Sequence, residues 1–470
     1  MNRTFQILIV LAIISLSTYS QTWLKVSCGG DFSVGLRSDS TLWSWGYNYN
    51  GQLGHGDTLR QSSPMQIGTD HNWADIATGA FHCLALKSDG SLWSWGSNND
   101  GQLGINSLTG LYEPIRIGTG NNWKNITCGS NFSFAIQKDS SLWSWGWNGN
   151  GELDDSTTVN KLIPTHVGLN SKWLKVAGGG EHSLALKSDG TIWATGQDAG
   201  GQLGNGSFSG IDSIFTQVES DTDWIAISAG FAYCMALKSN HTIWSWGFNG
   251  NGQLGFGNTF NEDFPLQIGT DSDWVKIAAG SCHAFAIKAD STLYGWGYNG
   301  YGQLGDGSTT QQNSPELIGT DHSWIDVSPA RGYLQNNVVP GTHTCGIKTP
   351  TNVICATGNN WAGQLGDGMT VNEDQFSCNT NVGSGIVEIE KSYGITVYPN
   401  PATTVLNIHT QLSIVNCQLT ITDLLGTEVY KEMLTGIDNT ITISTWNAGL
   451  YFYEVRSNSS SIRGKFVKEL

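Results

Sequence analysis

The stretch Leu92–Gly104, which reads LWSWGSNNDGQLG, decides the fold because its parts return along most of the chain. The unit that contains it is about fifty residues long and is repeated seven times. A unit of this size cannot bury its own apolar face, so the copies must stack or close into a ring. The closing motif of the unit, Gly-Gln-Leu-Gly, begins at Gly51, Gly101, Gly201, Gly252, Gly302 and Gly363, and in degraded form at Gly151.

Each unit also contains three other sequence motifs in a fixed order. The first is Trp-x-x-Ile or Trp-x-x-Val, as in Trp73–Ile76. The second is an alternating stretch such as His182–Leu186, followed by Ser-Asp-Gly, which predicts a strand that runs into a tight turn. The third is Leu-Trp-Ser-Trp-Gly, and a proline-led stretch such as Pro265–Gly269 supplies a fourth strand. Four short strands per unit and no amphipathic helix predict an all-β, seven-bladed β-propeller.

The order of these elements suggests how the ring closes. No proline-led strand precedes Trp23, whereas a strand-like stretch, Gln375–Cys378, follows the last Gly-Gln-Leu-Gly. We expect this stretch to occupy the edge beside Trp23, so that the first blade is built from both ends of the domain. Backbone hydrogen bonds would then latch the ring.

These motifs resemble those of the regulator of chromosome condensation repeat family, whose members are seven-bladed propellers. The resemblance covers about Trp23 to Asn381, and the double-glycine arrangement of kelch units is not found. Two units depart from the pattern. The third reads Gly-Glu-Leu-Asp at Gly151–Asp154, and the fourth has Thr195 in place of its second tryptophan.

The two ends of the chain differ from the repeats. Residues 1–20 hold Arg3, an apolar core over Ile7–Ile14 and a small polar tail, which predicts a secretory signal peptide. The propeller is expected to fill residues 21–385. From residue 386 to 470 the repeats stop, and alternating strands separated by turns predict a small immunoglobulin-like β-sandwich.

The order of motifs in this tail resembles the C-terminal sorting domain of the type IX secretion system of Bacteroidetes. The resemblance implies translocation across the outer membrane, the secretion machinery as a partner, and a product that is secreted or attached to the cell surface. An ordinary accessory sandwich domain is the alternative. The sorting residues are Tyr398, Pro399, Asn400, Pro401, Asp423, Gly426, Gly449, Lys465 and Lys468.

The charge of the chain argues against a nucleic-acid partner. The formal net charge is −16, and no stripe of lysine or arginine interrupts the acidic surface. The leader is the most apolar segment, but its core is too short for a membrane span, so we expect no transmembrane segment in the mature chain.

The nine cysteines do not form a simple disulfide pattern. Several occupy equivalent slots on separate units, too far apart to be bridged, and most are expected to be small buried residues. Cys345 and Cys355 are the exception, because they lie on facing strands of one predicted hairpin. No Cys-x-x-Cys pair with metal spacing is present, and we expect no metal site.

The search for catalytic residues gives no candidate. Histidines recur at one slot of the repeat, but phenylalanine or tyrosine fills that slot in other units, so a shared structural role is expected for them. Aspartates in the Ser-Asp-Gly turns have a local role in the turn. We therefore predict no catalytic residue and no cofactor. The histidines of this slot are His82, His182, His283 and His343.

The loops between Trp-Gly and Gly-Gln-Leu-Gly should all emerge on one rim of the ring. Aromatic side chains set among asparagine and glycine give them the composition of a recognition surface. The alternative is that these rings fold inward and cap the blades. The seventh unit adds about eleven residues, a candidate binding loop or a tolerated excursion. The predicted ligand-binding rim consists of Tyr47, Tyr49, Trp147, Phe248, Tyr298, Tyr301, Trp361, Arg331 and Tyr333.

Three functions are compatible with these features. The first is an exported, noncatalytic propeller that binds a protein or glycan ligand on one rim. The second is guanine-nucleotide exchange, an activity that the family resemblance implies and that export and acidity oppose. The third is a surface polysaccharide hydrolase or lyase, for which an acid and base pair would be expected in the central channel. We favour the first.

Overall fold

A computed structural model describes the protein as two compact units, Met1–Thr380 and Asn381–Leu470. All regular elements in the described residues are β-strands. The predicted signal peptide over residues 1–20 and the predicted boundary at residues 385 and 386 lie outside the described residues. These are 22–168, 172–208, 210–332, 341–378, 395–398, 402, 404–410, 417–424, 426–434, 438–456 and 461–468.

The first unit contains seven four-stranded antiparallel sheets, each made of four consecutive strands, and the predicted propeller is confirmed. The strands of blade 1 are β1 (Trp23–Cys28), β2 (Phe32–Arg37), β3 (Leu42–Gly46) and β4 (Gln61–Gln66). Blade 2 contains β5 (Trp73–Thr78), β6 (His82–Lys87), β7 (Leu92–Gly96) and β8 (Leu111–Arg116). Blade 3 contains β9 (Trp123–Cys128), β10 (Phe132–Gln137), β11 (Leu142–Gly146) and β12 (Lys161–Val167).

The remaining four blades repeat this order. Blade 4 contains β13 (Trp173–Gly178), β14 (His182–Lys187), β15 (Ile192–Gln197) and β16 (Ile211–Gln217). Blade 5 contains β17 (Trp224–Ala229), β18 (Tyr233–Lys238), β19 (Ile243–Gly247) and β20 (Glu262–Gln267). Blade 6 contains β21 (Trp274–Ala279), β22 (His283–Lys288), β23 (Leu293–Gly297) and β24 (Gln312–Leu317). Blade 7 contains β25 (Trp324–Pro329), β26 (His343–Lys348), β27 (Val353–Gly358) and β28 (Glu373–Cys378).

The apolar core lies between neighbouring blades, as the repeat predicts. On one side of the seam between blades 1 and 2 are Phe32, Val34 and Leu42, and on the other are Trp73 and Trp95, all of them buried. Each blade shields the indole-rich face of the next. The first strand of every blade lies innermost, and the seven first strands surround a channel. The contact of β25 with β1 completes the ring.

The predicted closing latch is wrong. Gln375–Cys378 belongs to β28 and pairs with β27 of its own blade, as the fourth strand of every blade pairs with the third. The first blade therefore already has four strands. A loop closes the ring instead: the Gln364 carbonyl oxygen accepts a 2.9 Å hydrogen bond from Trp45 Nε1 of blade 1.

The predicted disulfide between Cys345 and Cys355 is also wrong, because the two strands are offset by one residue. Cys345 lies opposite Ala356, so its side chain and that of Cys355 point to opposite faces of the sheet. Cys355 lies opposite Cys378 and is bonded to it. Cys345 is a buried free thiol, as are five other described cysteines.

The second unit contains two antiparallel sheets, and the predicted β-sandwich is confirmed. Its core includes Leu406, Leu419, Ile421 and Tyr453, all buried. One sheet contains β29 (Ile395–Tyr398), β30 (Val405–Thr410) and β33 (Asp438–Thr442). The other contains β31 (Cys417–Thr422), β32 (Glu428–Leu434), β34 (Gly449–Arg456) and β35 (Ser461–Lys468).

Candidate functional site

The segments that join the third and fourth strands of the blades form one surface of the propeller, which we name the loop face. In blade 1 this segment is built around Asn48, whose Oδ1 accepts from Leu53 N at 2.9 Å and whose Nδ2 donates to Leu59 O at 3.0 Å. Gln52 Oε1 accepts from Asn50 N at 2.9 Å. Both side chains are buried. The loops are thus fixed platforms for the residues that they present.

Three of the predicted rim aromatics lie flat on their own loops. A Cβ atom at Gly149 would come within 2.4 Å of the Trp147 ring, and the same relation joins Gly250 to Phe248 at 2.5 Å. Tyr298 covers Gly300 in the same way, at 2.4 Å. The glycine two residues after each ring therefore makes room for it. These rings lie on three different blades, and Tyr301 contacts Tyr298 with ring centroids 6.4 Å apart.

Four side chains come together where blade 7 meets blade 1, and we name them the seam cluster: Tyr47, Tyr49, Trp361 and Arg60. The ring centroids of Tyr47 and Tyr49 are 6.4 Å apart in a stacked arrangement, and those of Tyr47 and Trp361 are 5.3 Å apart. The Arg60 guanidinium lies over the Trp361 ring at 5.1 Å. Tyr49 is 72% exposed and Trp361 is 44% exposed, so the cluster is open to a partner.

A buried carboxyl group supports this cluster from below. Gln364 Nε2 donates to Asp31 Oδ1 at 3.3 Å. Burial raises the pKa of Asp31, while the charge of His343 and a hydrogen bond from the Trp361 side chain act to lower it. Because Asp31 belongs to blade 1 and Gln364 to the loop of blade 7 that contains Trp361, the hydrogen bond between them joins the two blades beneath the cluster.

Two predicted rim residues remain, Tyr333 and Arg331. Tyr333 lies outside the described residues. Arg331 lies two residues after β25, an innermost strand, and lines the central channel, where its Nη1 donates to Cys128 O at 3.4 Å. Its part in a ligand-binding rim stays a prediction.

The charged lining of the channel was missed by the sequence reasoning. The cavity has a volume of about 390 Å³. The third residue of each innermost strand differs from blade to blade, and two of these residues form ion pairs with the next blade: Lys25 with Asp75 at 2.5 Å and Lys276 with Asp326 at 2.6 Å. The second residue after the first tryptophan of each unit could have revealed this lining. In blade order these residues are Lys25, Asp75, Asn125, Lys175, Ala226, Lys276 and Asp326.

The repeated histidines lie between blades and are fully buried. His82 Nε2 shares a 3.0 Å hydrogen bond with Ser133 Oγ of the next blade, and His283 does so with Thr344 Oγ1 at 3.0 Å. Burial lowers the pKa of both histidines to about 3, so the rings stay neutral. Their partners are side chains of the next blade and match a structural role.

One group of potential metal ligands lies at the seam between blades 7 and 1. The ligand atoms of Cys28, His343 and Cys345 all lie within 4.8 Å of one another, and this group is unique among the described residues. His343 Nε2, however, already shares a 3.0 Å hydrogen bond with Ser33 Oγ, as the histidines of the other seams do with their neighbours. The group follows the pattern of the repeat.

The sorting residues of the tail fall on its strands and turns, apart from Pro399, Asn400 and Pro401, which lie outside the described residues. Tyr398 ends β29 and Lys465 lies in β35. Asp423 and Gly426 form the turn before β32, in which Gly426 N donates to Asp423 O at 3.0 Å. Gly449 and Lys468 lie opposite each other on β34 and β35.

Family models match both units of the chain. Residues 12–270, more than half of the chain, match the RCC1-like domain. Residues 274–303 and 290–330 match the Regulator of chromosome condensation (RCC1) repeat. Residues 396–469 match the Secretion system C-terminal sorting domain. The resemblances predicted for the propeller and for the tail are both confirmed.

Solved structures with the same fold share little sequence with this chain. Human WBSCR16 is 22% identical, with a TM-score of 0.60 over 67% of this chain and 85% of that one. Prp20p of Saccharomyces cerevisiae, whose binding to Gsp1p and histones has been described, is 20% identical, with a TM-score of 0.64 over 77% of this chain and 88% of that one. These similarities concern the fold.

A curated relative matches over a short stretch. The Arabidopsis thaliana protein RUG3, a mitochondrial RCC1 domain-containing protein, is 46% identical over 43 residues, which are 9% of this chain. The match spans 10% of that relative's length. The sorting domain shows that the present chain is an exported protein. In the part of the chain that the structure describes, no helix is both long and apolar enough to span a bilayer.

Proposed function

The chain belongs to the RCC1-like domain family, and from this premise we propose that its exported propeller is a noncatalytic binding module whose protein or glycan ligand docks on the loop face. The observation that carries this proposal is the seam cluster. It combines two exposed aromatic rings and an arginine on loops that are held by buried hydrogen bonds. Rings with few rotatable bonds lose little entropy when they bind.

The composition of the cluster suits either class of ligand. The flat faces of Tyr49 and Trp361 can stack on the apolar face of a sugar ring or on an aromatic side chain. The Arg60 guanidinium, which lies over the Trp361 ring at 5.1 Å, leaves donors for a carbonyl or carboxylate group. The hydrogen bond between Gln364 and Asp31 joins the loops of the two blades before a ligand arrives, which lowers the cost of binding.

The test compares two variants of the full chain. In Tyr49→Ala/Trp361→Ala the exposed rings of the seam cluster are removed, and in the control, Phe452→Ala, an aromatic ring that is 39% exposed on β34 of the second unit is removed. Both variants and the parent are incubated with a glycan array and with purified cell-surface proteins. We expect the double variant to lose at least tenfold in affinity for any retained species, since each such ring contributes about 1 kcal/mol or more.

The control variant should bind as the parent does. Equal binding by the parent and the double variant would contradict the proposal that the ligand docks on the seam cluster. Turnover of a retained glycan by the parent protein would contradict the noncatalytic part.

A further inference from the structure

The central channel gathers positive charge inside a strongly acidic protein. The chain has a formal net charge of −16, yet three cations and two carboxylates line the cavity. The carboxylates Asp75 and Asp326 form the ion pairs with Lys25 and Lys276 that are described above. Lys175 and Arg331 supply the remaining two charges, and neither forms an ion pair with a described residue.

The neighbours of Lys175 explain why it has no carboxylate partner. The third residue of the preceding blade is Asn125 and that of the following blade is Ala226, both neutral. Asn125 Nδ2 donates to Leu174 O at 3.0 Å and so is used in holding the two strands together. The Lys175 amine thus projects into the cavity, and among the described residues none accepts a hydrogen bond from it.

The Arg331 side chain comes from blade 7. Its guanidinium contacts Cys128 O, at the loop-face end of β9, which is the strand next to that of Lys175, and its charge acts on the Lys175 amine. Thr127 of β9 and Ser228 of β17 add hydroxyl groups to the wall. The space between Lys175 and Arg331 is therefore bordered by two cations and by neutral polar groups.

We propose that this space is a binding site for a small oxyanion, a carboxylate or phosphate group, held between Lys175 and Arg331. Cavities of 300–1,000 Å³ are typical of small-molecule sites, and this one, at about 390 Å³, can take a small organic acid or a phosphate ester. The site is separate from the seam cluster, and either proposal can fail without the other.

The protonation of Lys175 agrees with this geometry. Burial is the main cause that lowers the pKa of the amine to about 8, and the like charge of Arg331 comes next. A bound anion would favour the charged amine and raise this pKa. The affinity should therefore be constant below about pH 7 and fall as the pH rises above 8. The other titratable groups that face the cavity are Lys25, Cys28, Asp75, Cys128, Asp326 and Arg331, and the charge of Lys276 also acts on Lys175.

The first experiment measures how fast Lys175 is modified. The full chain is treated at pH 8 with a reagent for neutral amines, in sodium chloride and then in sodium phosphate or sodium acetate of equal ionic strength, and modified lysines are quantified by peptide mass spectrometry. We expect either oxyanion to slow the modification of Lys175 about tenfold or more and to leave exposed Lys124 unchanged. Equal rates for Lys175 in all three salts would overturn the proposal.

The second experiment uses variants. Phosphate should raise the melting temperature of the parent and of the control, Lys124→Met, relative to chloride at the same ionic strength. The increase should be lost in Lys175→Met and in Arg331→Met. Lys175→Met should fold, since methionine has nearly the volume of lysine and the substitution removes one positive charge from a group of positive charges. A phosphate-dependent increase that persists in Lys175→Met would count against the site.

Discussion

At the seam between blades 1 and 2, Trp95 packs against Gly54, whereas at the seam between blades 3 and 4 the corresponding positions are Thr195 and Asp154. In the first seam the indole is buried, and its Nε1 donates to Gln52 O at 2.9 Å. In the second, Thr195 Oγ1 donates to Gly151 O at 2.9 Å. The hydrogen bond between the blades is kept while the large ring is lost.

The missing volume is supplied by the fourth strand. Phe215 occupies the position on β16 that Pro64 occupies on β4, and its ring packs 5.0 Å from that of Trp173. Asp154 fills the room beside it, and its Oδ1 accepts from Phe215 N at 2.6 Å. The two departures that the sequence shows in the third and fourth units are therefore one compensated change at one seam.

Blade 7 repeats the exchange independently. Thr357 stands at the second tryptophan position, and Phe376 at the proline position of the fourth strand. Thr357 Oγ1 donates to Gly302 O at 2.8 Å, and the Phe376 ring lies beside Gly305. A seam thus accepts either tryptophan with proline or threonine with phenylalanine.

The largest expected effect distinguishes the two kinds of seam directly. Trp95→Ala deletes a buried indole and should lower the free energy of unfolding by about 3–5 kcal/mol. Thr195→Ala removes one hydrogen-bonding hydroxyl and should cost about 1 kcal/mol. Denaturant unfolding followed by tryptophan fluorescence measures both. Similar losses in the two variants would show that the seams are not stabilised differently.

The next effect concerns charge at the altered seam. Glu152 replaces the buried glutamine of the motif, and burial raises its pKa from 4.5 to about 7. The folded state therefore binds more protons than the unfolded state between these values, and stability falls as the pH rises through that range. Glu152→Gln should raise stability by at most about 3 kcal/mol at pH 8 and by little at pH 4.

The reverse change provides the control for this prediction. Gln102→Glu places a carboxyl group at the same position of an ordinary loop, and it should lower the melting temperature at pH 8 more than at pH 4. A gain from Glu152→Gln that is equal at both pH values would mean that the ionisation of Glu152 is not its cause.

The smallest expected effect tests the exchange itself. Thr195→Trp forces an indole into space that Phe215 and Asp154 already fill, and it should destabilise the protein by about 1–3 kcal/mol. Thr195→Trp/Phe215→Pro/Asp154→Gly restores the ordinary residues and should recover most of this loss, since proline is tolerated on an edge strand. The effect of Thr195→Trp, measured by denaturant unfolding with and without the other two changes, should be clearly non-additive. If the losses in the free energy of unfolding were additive, the substituted positions would not compensate for one another.

The repeat predicted the fold because the sequence motifs of the four strands recur from unit to unit. The closing latch and the disulfide were predicted wrongly because both depend on register. A one-residue offset turns Cys345 away from Cys355, and Gln375–Cys378 pairs within its own blade. Thr195 was recognised in the sequence, but Phe215 was not connected with it, although both departures can be read there.

The candidate sites were less accessible to sequence reasoning. The aromatic rim residues were found, but the sequence could not show that Tyr47 and Trp361 meet, because they come from the first and last units. The channel site depends on which third-position residues become neighbours around the ring. Lys175 is distinctive only because Asn125 and Ala226 flank it, and that neighbourhood exists only after closure.

Closure by the last loop has a consequence for how such a ring can evolve. The contact of Gln364 O with Trp45 Nε1 is the same one that Gln52 O makes with Trp95 Nε1 inside the ring. The joint between the last and first blades is therefore of the same kind as the joint between blades 1 and 2. A gene for this ring could exchange units that form the tryptophan seam, and each of these units would still find the acceptor and donor it needs on either side.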